Sequence, residues 1–394
     1  MNHSRIHRVL LLSTVLLPIV SGPATRVEAG KVKVFILAGQ SNMEGKGQVE
    51  TGNGNVSGAI GSLRYQVNND PDDYGHLVTS RGNWVVRDDV WIYSTTDGGE
   101  KGNLTVGFGS GAAIGPELGF GHVIGDLYED QVLLIKTAWG GKSLAVDFRP
   151  PRRGSPGIGF YYTEMLNTVD FVLENIATEF PDYADQGYEI IGFGWHQGWN
   201  DRVNQTHNDE YEVNLFTFIR DIRSRRNGLG VTDLPFVVAE TGMTGPTETH
   251  PRALSLMAAQ AAVTDFVKYP EFEGNVAFVG TRDFWRPAAE SPKDEGYHWN
   301  QNGETYYLIG DGMGRAMAAL LFEPRITEFE TLGTGEIVFT ANVATSALTV
   351  QRSNDLAPDS FVDVPSTADG NTLTVTGQDL DPDGDGAAYF RVRW

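Results

Sequence analysis

The sequence predicts an α/β fold: a three-layer α/β/α sandwich around a parallel sheet, flavodoxin-like in outline, followed by a small all-β module. Three observations carry this. Short apolar runs rich in β-branched residues recur at 32–38, 89–95, 131–137, 189–195, 235–240 and 276–280. They lack polar alternation, as strands buried on both faces do. Between them lie stretches of helical period, and strands that alternate with helices build parallel sheets covered on both sides. After Glu323-Pro324 the texture changes to short alternating runs (EIVFTANV, ALTVQRS, NTLTVT, AYFRVRW) broken by Gly, Asn, Asp and Pro, which reads as all-β.

Residues 1–29 stand apart from the fold. Arg5 and Arg8 precede an apolar stretch over 9–20, and Val27-Glu28-Ala29 resembles a small-residue cleavage site. That is the pattern of a secretory signal peptide cut after Ala29, with an apolar run short for spanning a bilayer. The expected division is therefore a signal peptide at 1–29, a main domain at 30–325 and the β module at 326–394. Export to the cell exterior, periplasm or cell surface follows, with no membrane attachment after cleavage.

Residues 32–38 form the first strand, and Gly39 ends it in the polar corner Gln40-Ser41-Asn42. Residues 46–88 are rich in Gly, Asn and Asp and read as a long insertion over the sheet edge. The glycine-rich run 107–121 leads into a helix with Pro116 near its first turn. Ile114 stands where a dinucleotide fingerprint needs its third glycine, so dinucleotide binding is not expected. Leu166, Val169, Leu173, Ile176 and Phe180 recur at helical spacing, as do Tyr211, Leu215, Phe218, Ile219 and Ile222. A final helix fits 303–321, with Ile309, Met313, Ala316 and Leu320 on its inner face.

Composition narrows the function. The formal net charge is −21, and signal cleavage would make the chain still more acidic, which argues against nucleic acid or anionic membrane as partner. A neutral polysaccharide is compatible with it. With no cysteine at all, thiol catalysis, thiolate metal sites and disulfides are excluded. Asp379, Asp381, Asp383 and Asp385 have the oxygen spacing of a calcium loop, but Phe390 stands where a bidentate glutamate belongs. A solvated acidic turn is the favoured reading there, and no cofactor is expected.

A serine in a corner such as Gln40-Ser41-Asn42 can cap a turn or act as a nucleophile. Open α/β sheets bind ligands at the carboxyl edge of their strands, where backbone N–H groups can hold an oxyanion. A nucleophile needs a base, and the chain has eight histidines. His3 and His7 leave with the signal peptide. His298 lies in a loop between the last predicted strand and the last helix, on the same sheet edge as Ser41. Glu295, three residues earlier, is spaced to receive the other imidazole nitrogen, as the acid of a triad does.

Four blocks occur in order: GQSNM at 39–43, AWGGKSL at 138–144, WHQGWND at 195–201 and GYHWNQN at 296–302. Together they resemble the sialate O-acetylesterase-like branch of the SGNH hydrolases, which includes carbohydrate esterase family 6 acetylxylan esterases. The resemblance implies an SGNH-type fold over the main domain, Ser41 as nucleophile and His298 as general base. It implies an oxyanion hole made of the Ser41 and Gly141 N–H groups and a side-chain amide, taken as Gln197 with Asn200 as the alternative. Relatives often carry Asp where Glu295 stands, so Asp294 is the alternative acid. Many carry Glu at the position of Trp199. Gln40, Trp139, Trp199 and Trp299 are candidate sugar contacts, and Glu240 is a further acidic candidate with a structural cap the favoured reading. The implied activity is a carboxylic ester hydrolase that releases acetate from acetylated carbohydrate. A silent carbohydrate-binding protein and an O-acetyltransferase are the rival readings.

Overall fold

The computed structural model describes residues 30–50, 60–154 and 156–322. Beyond these it describes the segments 326–331, 337–341, 349–353, 362–364, 366–369, 372–375 and 389–393. The stretch 1–29, read above as a signal peptide, and the aspartates at 379–385 lie outside the described residues.

A seven-stranded sheet forms the centre. Its strands are β1 Val32–Gly39, β2 Arg87–Ser94, β3 Glu100–Leu104, β4 Val132–Ala138, β5 Tyr188–His196, β6 Phe236–Ala239 and β7 Val276–Val279. The spatial order is β3-β2-β4-β1-β5-β6-β7. All neighbours are parallel except β3, which pairs antiparallel with β2. The sequence did not announce β3: its residues, EKGNL, are too polar for a buried strand, and they run along the sheet edge where one side meets solvent. The insertion at 46–88 is also more ordered than its composition suggests, containing the helices Leu63–Asn69 and Pro71–Tyr74.

Alternation along β1 divides the core. Val34 and Ile36 point to one layer, with Met165 and Val169 of helix Phe160–Glu174 and Leu215 and Phe218 of helix Gln205–Arg223. Phe35 and Leu37 point to the other, with Phe120 of helix Glu117–Gly125 and Ile309 and Met313 of helix Gly303–Phe322. Successive strand residues face opposite sides, so the eight-residue β1 supplies both layers and has to be apolar throughout. On the last helix Met317 is buried, while Ala316, expected inside, is only half-buried.

From β1 the chain runs out to β2 and the edge strand β3, returns to place β4 between β2 and β1, and then crosses to the other side of β1 through β5, β6 and β7. Such a reversal opens a crevice at the carboxyl ends of the strands beside it. Register sharpens the point, because Gly39 lies opposite both Ala138 of β4 and His196 of β5. Three strands thus end at one level, and the corners that follow them meet. Gly39 is required there, since a Cβ would stand 2.1 Å from the His196 carbonyl oxygen. Among the described residues after 325, seven short strands form two antiparallel sheets, of four and three strands.

Candidate active site

Ser41 opens the one-turn helix Ser41–Glu44 directly after β1. The first N–H groups of a helix have no intrahelical partner, so the Ser41 amide is free to face the crevice. His298 reaches it from the loop before the last helix, with Nε2 at 3.0 Å from Ser41 Oγ across 257 positions of chain. The loop is held to the serine corner by Asn42. Its Nδ2 donates to the Tyr297 carbonyl oxygen at 3.1 Å, and its Oδ1 accepts from the Tyr306 hydroxyl at 2.7 Å. The sequence reading gave no role to Asn42 or Tyr306; the fourth residue of the GQSNM block was the available signal.

The turn that presents His298 is unusual. Trp299, Asn300 and Gln301 all have positive φ (52°, 53° and 55°). Each such non-glycine residue costs about 1–2 kcal/mol, and the side chains explain why the turn persists. Trp299 is fully buried, Asn300 bridges the Glu295 N–H (2.9 Å) and the Arg286 carbonyl (3.0 Å), and Gln301 donates to Glu295 Oε2 at 2.5 Å.

Glu295 faces the imidazole, with Oε1 at 3.6 Å from Nδ1, while Asp294 is exposed. Burial works to raise the Glu295 pKa, but hydrogen bonds from Tyr297 and Gln301 and the nearby His298 hold it below the ordinary value. For His298, burial is the largest influence and lowers the pKa. Glu295 opposes this, Lys46 adds to it, and the net shift is downward. A neutral imidazole with Nε2 on the hydroxyl is the state a general base requires.

The glycine block after β4 contributes the opposite wall. The Gly140 N–H donates to Glu44 Oε1 at 2.8 Å, and Gly140 and Gly141 both line the cleft. Gly141 takes φ +72°, a conformation that suits glycine and few other residues. From the loop after β5, Asn200 Nδ2 donates to the Gly141 carbonyl at 2.6 Å, and its Oδ1 accepts from Gln40 at 3.2 Å. One amide hydrogen of Asn200 is left for a ligand. These residues enclose a cleft of about 380 Å³ lined by Gln40, Ser41, Glu44, Lys46, Gly140, Gly141, Trp199, Asn200, Tyr297 and His298.

Several expectations need correcting. Gln197 is 1 % exposed, and its Nε2 is taken up by Lys142 O (2.9 Å), Asp201 Oδ2 (2.6 Å) and Gln40 Oε1 (3.3 Å). It belongs to the scaffold, and Asn200, the alternative, is the amide that faces the cleft. Trp299 packs in the core, and Trp139 packs against Phe148 and Tyr161. Neither lines the cleft, whereas Trp199 and Gln40 do. The aromatic wall is Trp199 with Tyr297, which sequence reasoning left out; their rings lie 6.1 Å apart. Glu240 accepts from the Thr281 N–H and from Arg282, each at 3.0 Å, a structural cap.

Beneath the site, Lys136 and Glu117 form a fully buried pair at 2.9 Å. The Lys136 ammonium also donates to the carbonyl oxygens of Glu44 (2.9 Å) and Phe108 (2.6 Å), which fixes the end of the serine helix to β4. Among the described residues no group of three or more histidine and carboxylate side chains could hold a metal ion.

Fold and cleft together describe an α/β protein with a serine–histidine pair and an array of amide donors at its sheet edge. Residues 31–277, more than half of the chain, match the family described as carbohydrate esterase, sialic acid-specific acetylesterase, and the chain belongs to that family. His298 lies beyond the matched residues, so it enters the site on geometry alone. Among solved structures, similar ones include a protein from Arabidopsis thaliana at 17 % identity, covering 73 % of this chain and 98 % of that one, TM-score 0.48. A carbohydrate acetylesterase from Xanthomonas citri matches at 14 % identity over 92 % and 74 %, TM-score 0.46, and NanS at 14 % over 73 % and 97 %, TM-score 0.43. No curated protein sequence is similar enough to count as a match.

Proposed function

We propose that this chain is a secreted carbohydrate O-acetylesterase that hydrolyses acetyl esters on sugars through an acyl-enzyme. The observation that carries the reading is the 3.0 Å contact between Ser41 Oγ and His298 Nε2, at a cleft also lined by Gly141 and Asn200. His298 removes the Ser41 proton as Oγ attacks the acetyl carbonyl. The tetrahedral oxyanion is held by the amides of Ser41 and Gly141 and by Asn200 Nδ2. The imidazolium, with Glu295 on its far side, returns the proton to the departing sugar oxygen. A water activated by the same imidazole then cleaves the acetyl group from Ser41. Trp199 and Tyr297 offer ring faces for a sugar, within the acetylxylan or sialate esterase range of substrates.

In this reading residues 1–29 direct export, 30–325 carry the chemistry and 326–394 form an accessory module. The test is acetate release from p-nitrophenyl acetate and from a panel of acetylated xylan, pectin and sialic acid by the purified chain. Ser41→Ala should fall to the uncatalysed background. A variant that hydrolyses as fast as the parent would sink the reading, and turnover only with a sugar acceptor would identify a transferase instead.

A further inference from the structure

Tyr297 belongs to two arrangements at once. The residue is 44 % exposed and lines the cleft beside Trp199, with its ring centroid 4.4 Å from that of His298. Its hydroxyl donates to Glu295 Oε1 at 2.6 Å. That oxygen is also the one nearest His298 Nδ1, at 3.6 Å, a separation too long for a hydrogen bond. The second carboxylate oxygen accepts from Gln301 Nε2 at 2.5 Å. The triad acid is therefore satisfied by two neutral donors while the imidazole waits outside hydrogen-bonding range. A carboxylate oxygen that already accepts a short O–H bond offers less charge to a further donor.

We propose that Tyr297 is a positioning residue that sets the strength of the His298 base, by occupying the Glu295 oxygen that faces Nδ1. The other groups around the ring leave this one adjustable. Ser41 meets Nε2 at 3.0 Å, and the Tyr306 hydroxyl meets the His298 carbonyl at 3.3 Å. Beyond the serine, Glu44 and Lys46 pull in opposite directions and pair with each other at 3.4 Å. Removing the tyrosine hydroxyl frees Oε1 to close on Nδ1, which stabilises the imidazolium and raises the pH at which the base becomes neutral. The kinetic side of this proposal rests on the esterase reading; the titration of His298 does not.

The test is Tyr297→Phe in the full chain, read in two ways. The first is NMR titration of the His298 ring, assigned by its loss in His298→Ala. The second is the pH profile of kcat/KM on p-nitrophenyl acetate, a substrate with no sugar to touch the wall. Both midpoints should move up by about half to one pH unit, so that kcat/KM well below the midpoint falls roughly three- to tenfold. In a Glu295→Gln background the same replacement should move nothing. An unmoved or lowered midpoint overturns the proposal, as does a shift that persists without the carboxylate. If the parent chain releases no acetate, the esterase reading fails, and the NMR titration still decides the role of Tyr297.

Discussion

Two loops at the same sheet edge carry nearly the same set of side chains and use them in opposite ways. The last residue of β5 and the loop after it hold His196, Gln197, Trp199, Asn200 and Asp201; the loop before the last helix holds Glu295, Tyr297, His298, Asn300 and Gln301. In the first, the histidine and the acid are sealed in. His196 is fully buried, and burial pushes its pKa down to about 4. Asp201 accepts from the Leu144 and Ala145 N–H groups and from Gln197, while burial pushes its pKa up to about 6. Only Trp199 and Asn200 of that loop reach the cleft. In the second, the histidine and the acid are partly exposed, Asn300 holds the backbone and Gln301 holds the acid. The donor wall is thus rigidly prepared before any ligand arrives, whereas the proton-handling side retains a gap at Nδ1 that small changes can close.

This contrast can be broken at several points. The largest expected effect is on Asn200→Ala, which removes a donor facing the cleft and should lower kcat by about 10²–10³. Steady-state kinetics check it, and a loss under threefold would return the role to another group. Next is acid lability. His122 and His196 are both pushed down to about 4, chiefly by burial. Each depressed histidine contributes stability that is fully present above its unfolded pKa, about 6.5, and lost as pH falls toward 4. Asp201, raised to about 6, gains over the same range. The net should be a loss of about 3–4 kcal/mol by pH 4, measured as a falling urea midpoint.

A smaller change is expected for Gln197→Ala. It takes one buried donor from Asp201, while the Tyr211 hydroxyl keeps the residue-197 carbonyl at 2.8 Å, and should cost about 1–3 kcal/mol of stability. Turnover at a temperature where the variant is folded should fall less than in Asn200→Ala; the reverse ranking would erase the distinction between the two amides. Smallest is the acid limb of kcat/KM. Because burial depresses the His298 pKa, its midpoint should lie below the ordinary imidazole value near 6.5, and a midpoint at or above that value would contradict the geometry.

Much of this was legible in the residues. Short apolar runs without polar alternation located six of the seven strands of the central sheet to within about two positions, since a strand buried on both faces has to be apolar throughout. Ser41 and His298 were candidates from where a loop must lie relative to a strand end, and the four-block resemblance singled them out. What stayed hidden depends on direction rather than position. Gln197 and Asn200 are three residues apart, and nothing in their order tells which amide has its hydrogens already engaged. Trp299 read as a cleft aromatic because the positive φ that turns it inward has no signature outside glycine. Tyr297 was passed over because the hydroxyl's reach to Glu295 exists only in the folded turn.

The left-handed run at 299–301 has a consequence for how this region can vary. Three successive side chains there fan out to three separate anchors, the core, the Arg286 carbonyl and Glu295, from a segment only seven residues long counted from the acid. Deleting or inserting a single residue between 295 and 301 would rotate every anchor out of phase and swing the imidazole off the serine. Related chains can therefore exchange letters in this stretch far more readily than they can change its length.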